Sequence, residues 1–235
     1  MKPADATPHP CSQCPMYRTS VWEPAGAGSV AILNRGFTRR DLQPGDVLFA
    51  EGSENRGVYC LSGGLIALRT HRDDGTSSLL RLAYRGDVIG FRSFLGDGVH
   101  RTEARALLPS RVCTVARHDA ERVVHASPPV LARLAGRAVD ELDAARERIV
   151  ATMGRSNKAR LATLLTELME RHGTQEDGYL RMHLPLSRAD LADLVGVQRE
   201  TVSRLIRRLE DDGSFHFACR EVWMRHPGMR NRAIG

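Results

Sequence analysis

Two groups of residues in this chain have types and spacings that carry chemistry. The first is Ser187–Leu209, SRADLADLVGVQRETVSRLIRRL. Ser187 has a side-chain oxygen suited to capping a helix N-terminus, and Asp190 stands three residues on, where a carboxylate returns the bond. Leu191, Leu194 and Val195 make one apolar face, and Gly196 allows a tight turn. A second helix follows, with Val202, Leu205, Ile206 and Leu209 inward and Arg199, Glu200, Ser203 and Arg204 outward. An arginine can give two parallel hydrogen bonds to guanine O6 and N7, and a carboxylate can accept from cytosine N4. Glu200 and Arg204 share one helical face, and a carboxylate among phosphates is useful only at a base edge. The segment therefore reads as a helix-turn-helix whose second helix enters a major groove of double-stranded DNA, with Arg207 and Arg208 steering toward phosphates. The bland alternative is an amphipathic helix pair with a solvated Glu–Arg ion pair.

The second group is the cysteines. Cys11-x-x-Cys14, flanked by Pro10 and Pro15, places two thiols where they can clamp one metal ion or cluster. Cys60 and Cys113 lie in strand-like apolar runs, where a cysteine is commonly a small buried hydrophobe, and Cys219 is read only that way. A packing role is hard to justify for Cys11 and Cys14 in their Pro-rich arm. An iron–sulfur cluster, zinc or thiol redox chemistry all stay open.

The bulk properties set bounds. The chain has 235 residues, enough for two domains, and 42% hydrophobic content. No apolar run approaches bilayer length, and MKPADATPHP lacks the apolar core of a signal peptide. A cytoplasmic protein without a membrane partner is expected, so its five cysteines are better read as ligands, redox groups or core residues than as disulfides. The formal net charge of +6 favours a polyanionic partner, and Arg204, Arg207, Arg208, Arg220, Arg225, Arg230 and Arg232 crowd the C-terminal end. Nothing supports an enzyme: the sequence has no Gly-rich phosphate loop, nucleophile elbow or HExxH motif.

An α+β architecture must position these groups. Residues 1–29 form a cysteine-bearing arm and residues 30–122 a sensor domain that reads as an all-β barrel or roll to about residue 118. Its apolar runs (Val47–Phe49, Val58–Leu61, Leu65–Leu68, Leu79–Ala83, Val112–Val115) alternate with turn signals such as Gly63-Gly64. Residues 123–157 carry a long helix opened by Ser127-Pro128-Pro129, with Ser127 as cap. Leu131, Ala135, Ala138, Leu142, Ala145, Ile149 and Thr152 make a heptad seam along it, and a second copy of the chain is its simplest partner. Packing of that face on the β domain is the other reading. Residues 158–235 hold an amphipathic helix over Lys158–Arg171, a Gly/polar loop over Gly173–Gly178, the helix-turn-helix, and a wing hairpin within Gly213–Met224.

This order of elements resembles the cyclic-AMP receptor protein/fumarate–nitrate reductase regulator (CRP/FNR) superfamily over nearly the whole chain. The residues that carry the resemblance are Glu200-x-x-Ser203-Arg204, the run Gly86-Asp87-Val88-Ile89-Gly90-Phe91, and Cys11, Cys14 and Cys113. The resemblance implies a homodimeric transcription regulator with a cyclic-nucleotide-binding-like β-roll, a dimerisation helix and a winged helix-turn-helix. Glu200, Ser203 and Arg204 match the oxygen-responsive branch and imply an inverted repeat of TTGAT-like half-sites. Arg199 departs toward the cyclic-AMP branch, leaving the central TGA as the firmer part. Cyclic-AMP-binding members have a glutamate where this chain has Phe91, which cannot accept a ribose hydroxyl bond, while Arg101-Thr102 stands where a phosphate-binding Arg-Ser pair falls. Nucleotide or another small effector is the alternative signal.

In the oxygen-sensing branch, three N-terminal cysteines and one on a roll strand hold a [4Fe-4S] cluster. Here the third position falls near Ser20, and three repairs are open: Cys60 as a ligand, a Ser20 or His9 ligand, or fewer protein ligands. A carboxylate that keeps cluster-free relatives monomeric is matched by Ala145, implying dimerisation without the cofactor. The loop Arg72–Ser77 is the expected contact with RNA polymerase.

Overall fold

The computed structural model describes residues 9–226; the first eight residues of the arm, Arg230 and Arg232 lie outside the described residues. Ser29, Val30, Leu33 and Gly36 are buried at helical spacing, and Ala27–Gly36 is a helix, α1. Sheet structure starts only at Phe37, which corrects the all-β reading from residue 30. Eight strands follow: β1 (Phe37–Leu42), β2 (Val47–Phe49), β3 (Gly57–Gly63), β4 (Leu65–His71), β5 (Ser77–Tyr84), β6 (Val88–Ile89), β7 (Glu103–Ala106) and β8 (Ser110–Ala116). A short helix, α2 (Phe91–Leu95), interrupts them. The five apolar runs named from the sequence fall in β2, β3, β4, β5 and β8. By contrast β1, FTRRDL, is mostly exposed and β7 has four residues, so neither offers an apolar run to read.

The strands form two antiparallel sheets, ordered β1-β8-β3-β6 and β2-β7-β4-β5. Leu42, Phe49, Tyr59, Leu61, Ile66, Ala83, Ile89 and Val112 fill the roll interior. Gly64 makes the turn from β3 of one sheet into β4 of the other at φ +93°, and a Cβ there would lie 2.2 Å from Ser110 Oγ and 2.5 Å from the Pro109 carbonyl. Only glycine fits both constraints.

The helices α3 (Arg117–Ala126) and α4 (Pro128–Gly154) come next. Ser127 donates its hydroxyl to the Pro24 carbonyl at 3.2 Å instead of capping α4. Val130 and Leu134 of α4 are fully buried in one cluster with Cys11, Val21, Trp22, Leu33 and Phe91. The Pro-rich arm thus has a packing role: a 3₁₀ turn at Tyr17–Thr19 leads to Val21 and Trp22, each 1% exposed. One compact unit ends at Ala145 and a second begins at Arg146.

In the second unit, α5 (Asn157–His172) starts on a Ser156 cap whose hydroxyl accepts from Ala159 N. The polar stretch expected as a loop holds an edge strand, β9 (Thr174–Glu176), paired with β10 (Tyr179–His183). All three β9 residues are exposed, so no apolar alternation marked it. Helices α6 (Arg188–Val195) and α7 (Arg199–Asp211) precede the wing strands β11 (His216–Ala218) and β12 (Glu221–Arg225). Cys219 is exposed at φ +56° in the wing turn, not buried as its small apolar character suggested. Among the described residues, no helix is long and apolar enough to cross a membrane.

One buried polar group in the roll has a pH consequence. His100 is 3% exposed and stacks on Phe49 with ring centroids 3.7 Å apart. Asn55 Nδ2 donates to Ser93 Oγ (2.9 Å), and Ser93 Oγ donates to the Gly90 carbonyl (3.0 Å). His100 Nδ1–H then donates to Ser93 Oγ at 2.9 Å, while buried Nε2 has no partner among the described residues. Burial pushes the imidazole from its ordinary 6.5 down to about 4. The unfolded chain therefore binds the proton first, so His100 leaves stability intact above pH 6.5 and removes it as pH falls toward 4. The expected loss is about 2–3 kcal/mol. Urea titrations across this range should show it in the wild type and not in His100→Gln.

Candidate functional site

The helix-turn-helix forms as its residues dictate. Ser187 Oγ accepts from Asp190 N at 3.1 Å, and the Asp190 carboxylate accepts from Ser187 N at 2.8 Å, a complete capping box. Gly196 ends α6 in the left-handed region at φ +72°. Val202, Leu205, Ile206 and Leu209 anchor α7, and Leu161, Leu165 and Leu168 of α5 are fully buried in the same unit. Arg160 sends Nε and Nη2 to the Val195 carbonyl (3.1 and 2.9 Å) and Nη1 to the Arg155 carbonyl (3.0 Å), fixing the C-terminal end of α6 on α5. On the other face of α7, Arg199, Glu200, Ser203, Arg204, Arg207 and Arg208 are all exposed. Among the described residues no ion pair joins Glu200 to Arg204. Arg188, at the first turn of α6, is a further cation at a helix N-terminus; as one arginine among many it carries no sequence signal.

The cysteines meet at a second place. Cys60 on β3 pairs in register with Cys113 on β8, which pairs with Arg39 on β1. Cross-strand partners share a sheet face, so these three side chains form one row. The Cys11–Cys14 turn, closed by Cys14 N donating to the Cys11 carbonyl at 2.8 Å, covers that face. Cys11, Cys14, Cys60 and Cys113 all line one pocket of about 460 Å³, together with Met16, Ser20 and the arginines Arg39, Arg85 and Arg111. Burial raises the Cys11 thiol to about 11, against a hydrogen bond from Ser20 that lowers it. Burial also pushes Cys60 up, reinforced by Cys11 and Cys113.

His9 is spent elsewhere: Nδ1 accepts from Cys11 N at 3.1 Å, so Nε2 carries the proton and donates to the Trp22 carbonyl at 2.9 Å. Ser20 Oγ accepts from Trp22 N at 3.2 Å. No three Cys, His, Asp or Glu side chains among the described residues group as ligands of a single metal ion. Four thiols line this one pocket.

On α4, Leu131, Leu142 and Ile149 are 41%, 51% and 59% exposed, and Val139, Val150 and Met153 extend this apolar strip. Ala135 is exposed, Ala145 half-buried, and Ala138 half-buried against the arm-side core.

Residues 159–223 match the family model of the Crp-like helix-turn-helix domain, and residues 39–127 that of the cyclic nucleotide-binding domain. A probable transcriptional activator of Rhizobium leguminosarum bv. viciae is 30% identical over 207 residues, 88% of this chain and 85% of that protein. The chain belongs to the CRP/FNR superfamily. It is a DNA-binding transcription regulator and not an enzyme. Among other CRP/FNR members, the transcriptional activator protein FnrL of Cereibacter sphaeroides is 27% identical over 209 residues, 87% of this chain and 83% of that protein. The structure of FixK2 from Bradyrhizobium japonicum has a TM-score of 0.65 and 27% identity, covering 82% of this chain and 94% of that one.

Phe91 is 2% exposed in the core beside Val58, Val88 and Phe94. Arg101 points outward, with a 75% exposed side chain paired to Asp97.

Proposed function

We propose that this CRP/FNR regulator is a homodimeric activator that reads an inverted repeat and answers to a redox signal at the thiol pocket. The meeting of Cys11, Cys14, Cys60 and Cys113 on one pocket carries the sensor reading. These residues would hold a [4Fe-4S] cluster, which supplies sensitivity to oxygen or to a change of redox state. Cys60 stands in for the N-terminal cysteine replaced by Ser20, and Arg39, Arg85 and Arg111 offset the negative charge of a thiolate-ligated cluster. A single zinc ion is disfavoured because it wants ligands converging on one centre.

The exposed strip of α4 supports pairing with a second copy, which places two α7 helices on two half-sites with a TTGA-type sequence. Glu200, Ser203 and Arg204 read bases, Arg199 reads a base or phosphate, and Arg207 and Arg208 approach phosphates. Ala145 adds no buried charge to the seam, so the dimer persists without the cofactor. Activation implies contact with RNA polymerase, for which the Arg72–Ser77 turn is the candidate. The cytoplasm, where thiols stay reduced, is the compartment that suits this chemistry.

Anaerobic purification followed by iron and sulfide analysis tests the sensor. About four irons and four sulfides per chain are expected, with Cys14→Ser and Cys60→Ser both losing most of them and Cys219→Ser none. A colourless wild-type protein after anaerobic reconstitution would refute the cluster and favour a thiol or small-effector signal.

A further inference from the structure

The arm that carries Cys11 and Cys14 is tied to α4 by hydrogen bonds that no motif announces. Arg133 Nη1 donates to the Ser20 carbonyl at 2.7 Å and to the Arg18 carbonyl at 3.5 Å. Arg137 Nη2 donates to the Thr19 carbonyl at 3.1 Å. Three consecutive carbonyls of the arm are thereby held by two arginines one helical turn apart. Arg133 Nη2 also pairs with Glu23 at 2.8 Å. Beneath these bonds Val21 and Trp22 are buried in the same cluster as Val130 and Leu134 of α4. The segment so held lies between Cys14 and Trp22, and its Ser20 lines the thiol pocket with Cys11.

We infer that Arg133 and Arg137 are positioning residues that transmit the state of the thiol pocket to α4. Resting on the sensor reading above, this assigns its regulation to one joint. A guanidinium held through both terminal nitrogens by backbone carbonyls and a carboxylate, as Arg133 is, is oriented, and it cannot follow two arm conformations equally well. If the Cys11–Cys14 turn changes shape, residues 18–20 move and the bonds must re-form or break. Leu131 and Ala135 flank Arg133 on the exposed side of the same helical turns. A displacement of Arg133 and Arg137 therefore rotates or shifts the seam through which α4 meets a partner. A coupling of this kind between two sites commonly changes affinity by five- to 150-fold, roughly.

The test compares the full-length wild type with Arg133→Gln/Arg137→Gln and, on the arm side, Glu23→Gln. In cofactor-free protein, maleimide labelling of Cys11 and Cys14 should be about tenfold faster in the double variant, with Cys219 unchanged. In the wild type, blocking Cys11 and Cys14 should shift DNA affinity by about fivefold or more, and in the double variant by less than about twofold. Glu23→Gln should fall between them in both readouts, which a variant that merely misfolds would not reproduce. Unchanged labelling in the double variant overturns the proposal. So does faster labelling with the DNA response retained, or a wild type whose DNA affinity ignores the block. Iron and sulfide content of the reconstituted double variant is read separately and should match the wild type. A loss of the cluster from wild-type protein in that assay refutes the sensor reading, while the labelling and DNA readouts still decide the arginine joint.

Discussion

Arg204→Ala is expected to weaken binding to the preferred DNA site by about 1–3 kcal/mol, with the loss confined to sites that carry one particular guanine. Arg204 lies one turn beyond Glu200 on the exposed face of α7, and the opposite face is locked by Val202, Leu205, Ile206 and Leu209, all buried. A helix so anchored presents its polar residues without freedom to roll, which lets a guanidinium meet O6 and N7 of a guanine with two bonds. Arg208→Ala should behave differently, weakening specific and random DNA alike and lowering the salt slope by about one. Fluorescence-anisotropy titrations on the site, on single-base variants and on random duplex separate the two. Equal losses for Arg204→Ala on all of them would reduce that residue to a phosphate contact.

Leu142→Asp with Ile149→Asp should have the larger effect. Both residues are more than half exposed, so neither contributes to the core of its own chain, and the far-UV circular dichroism should not change. In a two-fold seam the pair of substitutions buries like charges against each other, a desolvation cost that nothing offsets. Sedimentation velocity is expected to give a monomer. Affinity for an inverted repeat should fall by about 10²–10⁴-fold, because two linked readers become one. A variant that stays dimeric would show that some other surface pairs the chains.

What the sequence disclosed follows from where the physics is local. A capping box, a left-handed glycine and a four-residue apolar anchor lie within one short segment, so the helix-turn-helix could be read residue by residue. The strands with apolar runs were equally legible. Elements whose residues are mostly exposed or whose length is small, β1, β7 and β9, left no such trace. The thiol pocket was half legible. The Cys11–Cys14 spacing was plain, but the partnership of Cys60 with Cys113 depends on the register of β3 against β8, which only the folded sheet supplies. Arg133, Arg137 and Arg160 were not legible at all. Their roles depend on which carbonyls come within reach after folding, and a lone arginine in a chain with 34 basic residues announces nothing.

The strongest departure concerns the arm. Pro10, Pro15 and the scarcity of apolar residues hid the fact that Val21 and Trp22 are among the most buried side chains. The core that encloses them also contains Phe91, Leu33 and Leu134, so the cysteine-bearing arm, the roll and α4 share one set of contacts.

Selection of duplexes from a random DNA pool by the anaerobic full-length protein decides whether two α7 helices read one DNA site together. The expected product is an inverted repeat with a TGA core in each half, the half-site centres about one helical turn (10–10.5 base pairs) apart. Recovery of a single unrepeated element, or of no sequence preference, would contradict it.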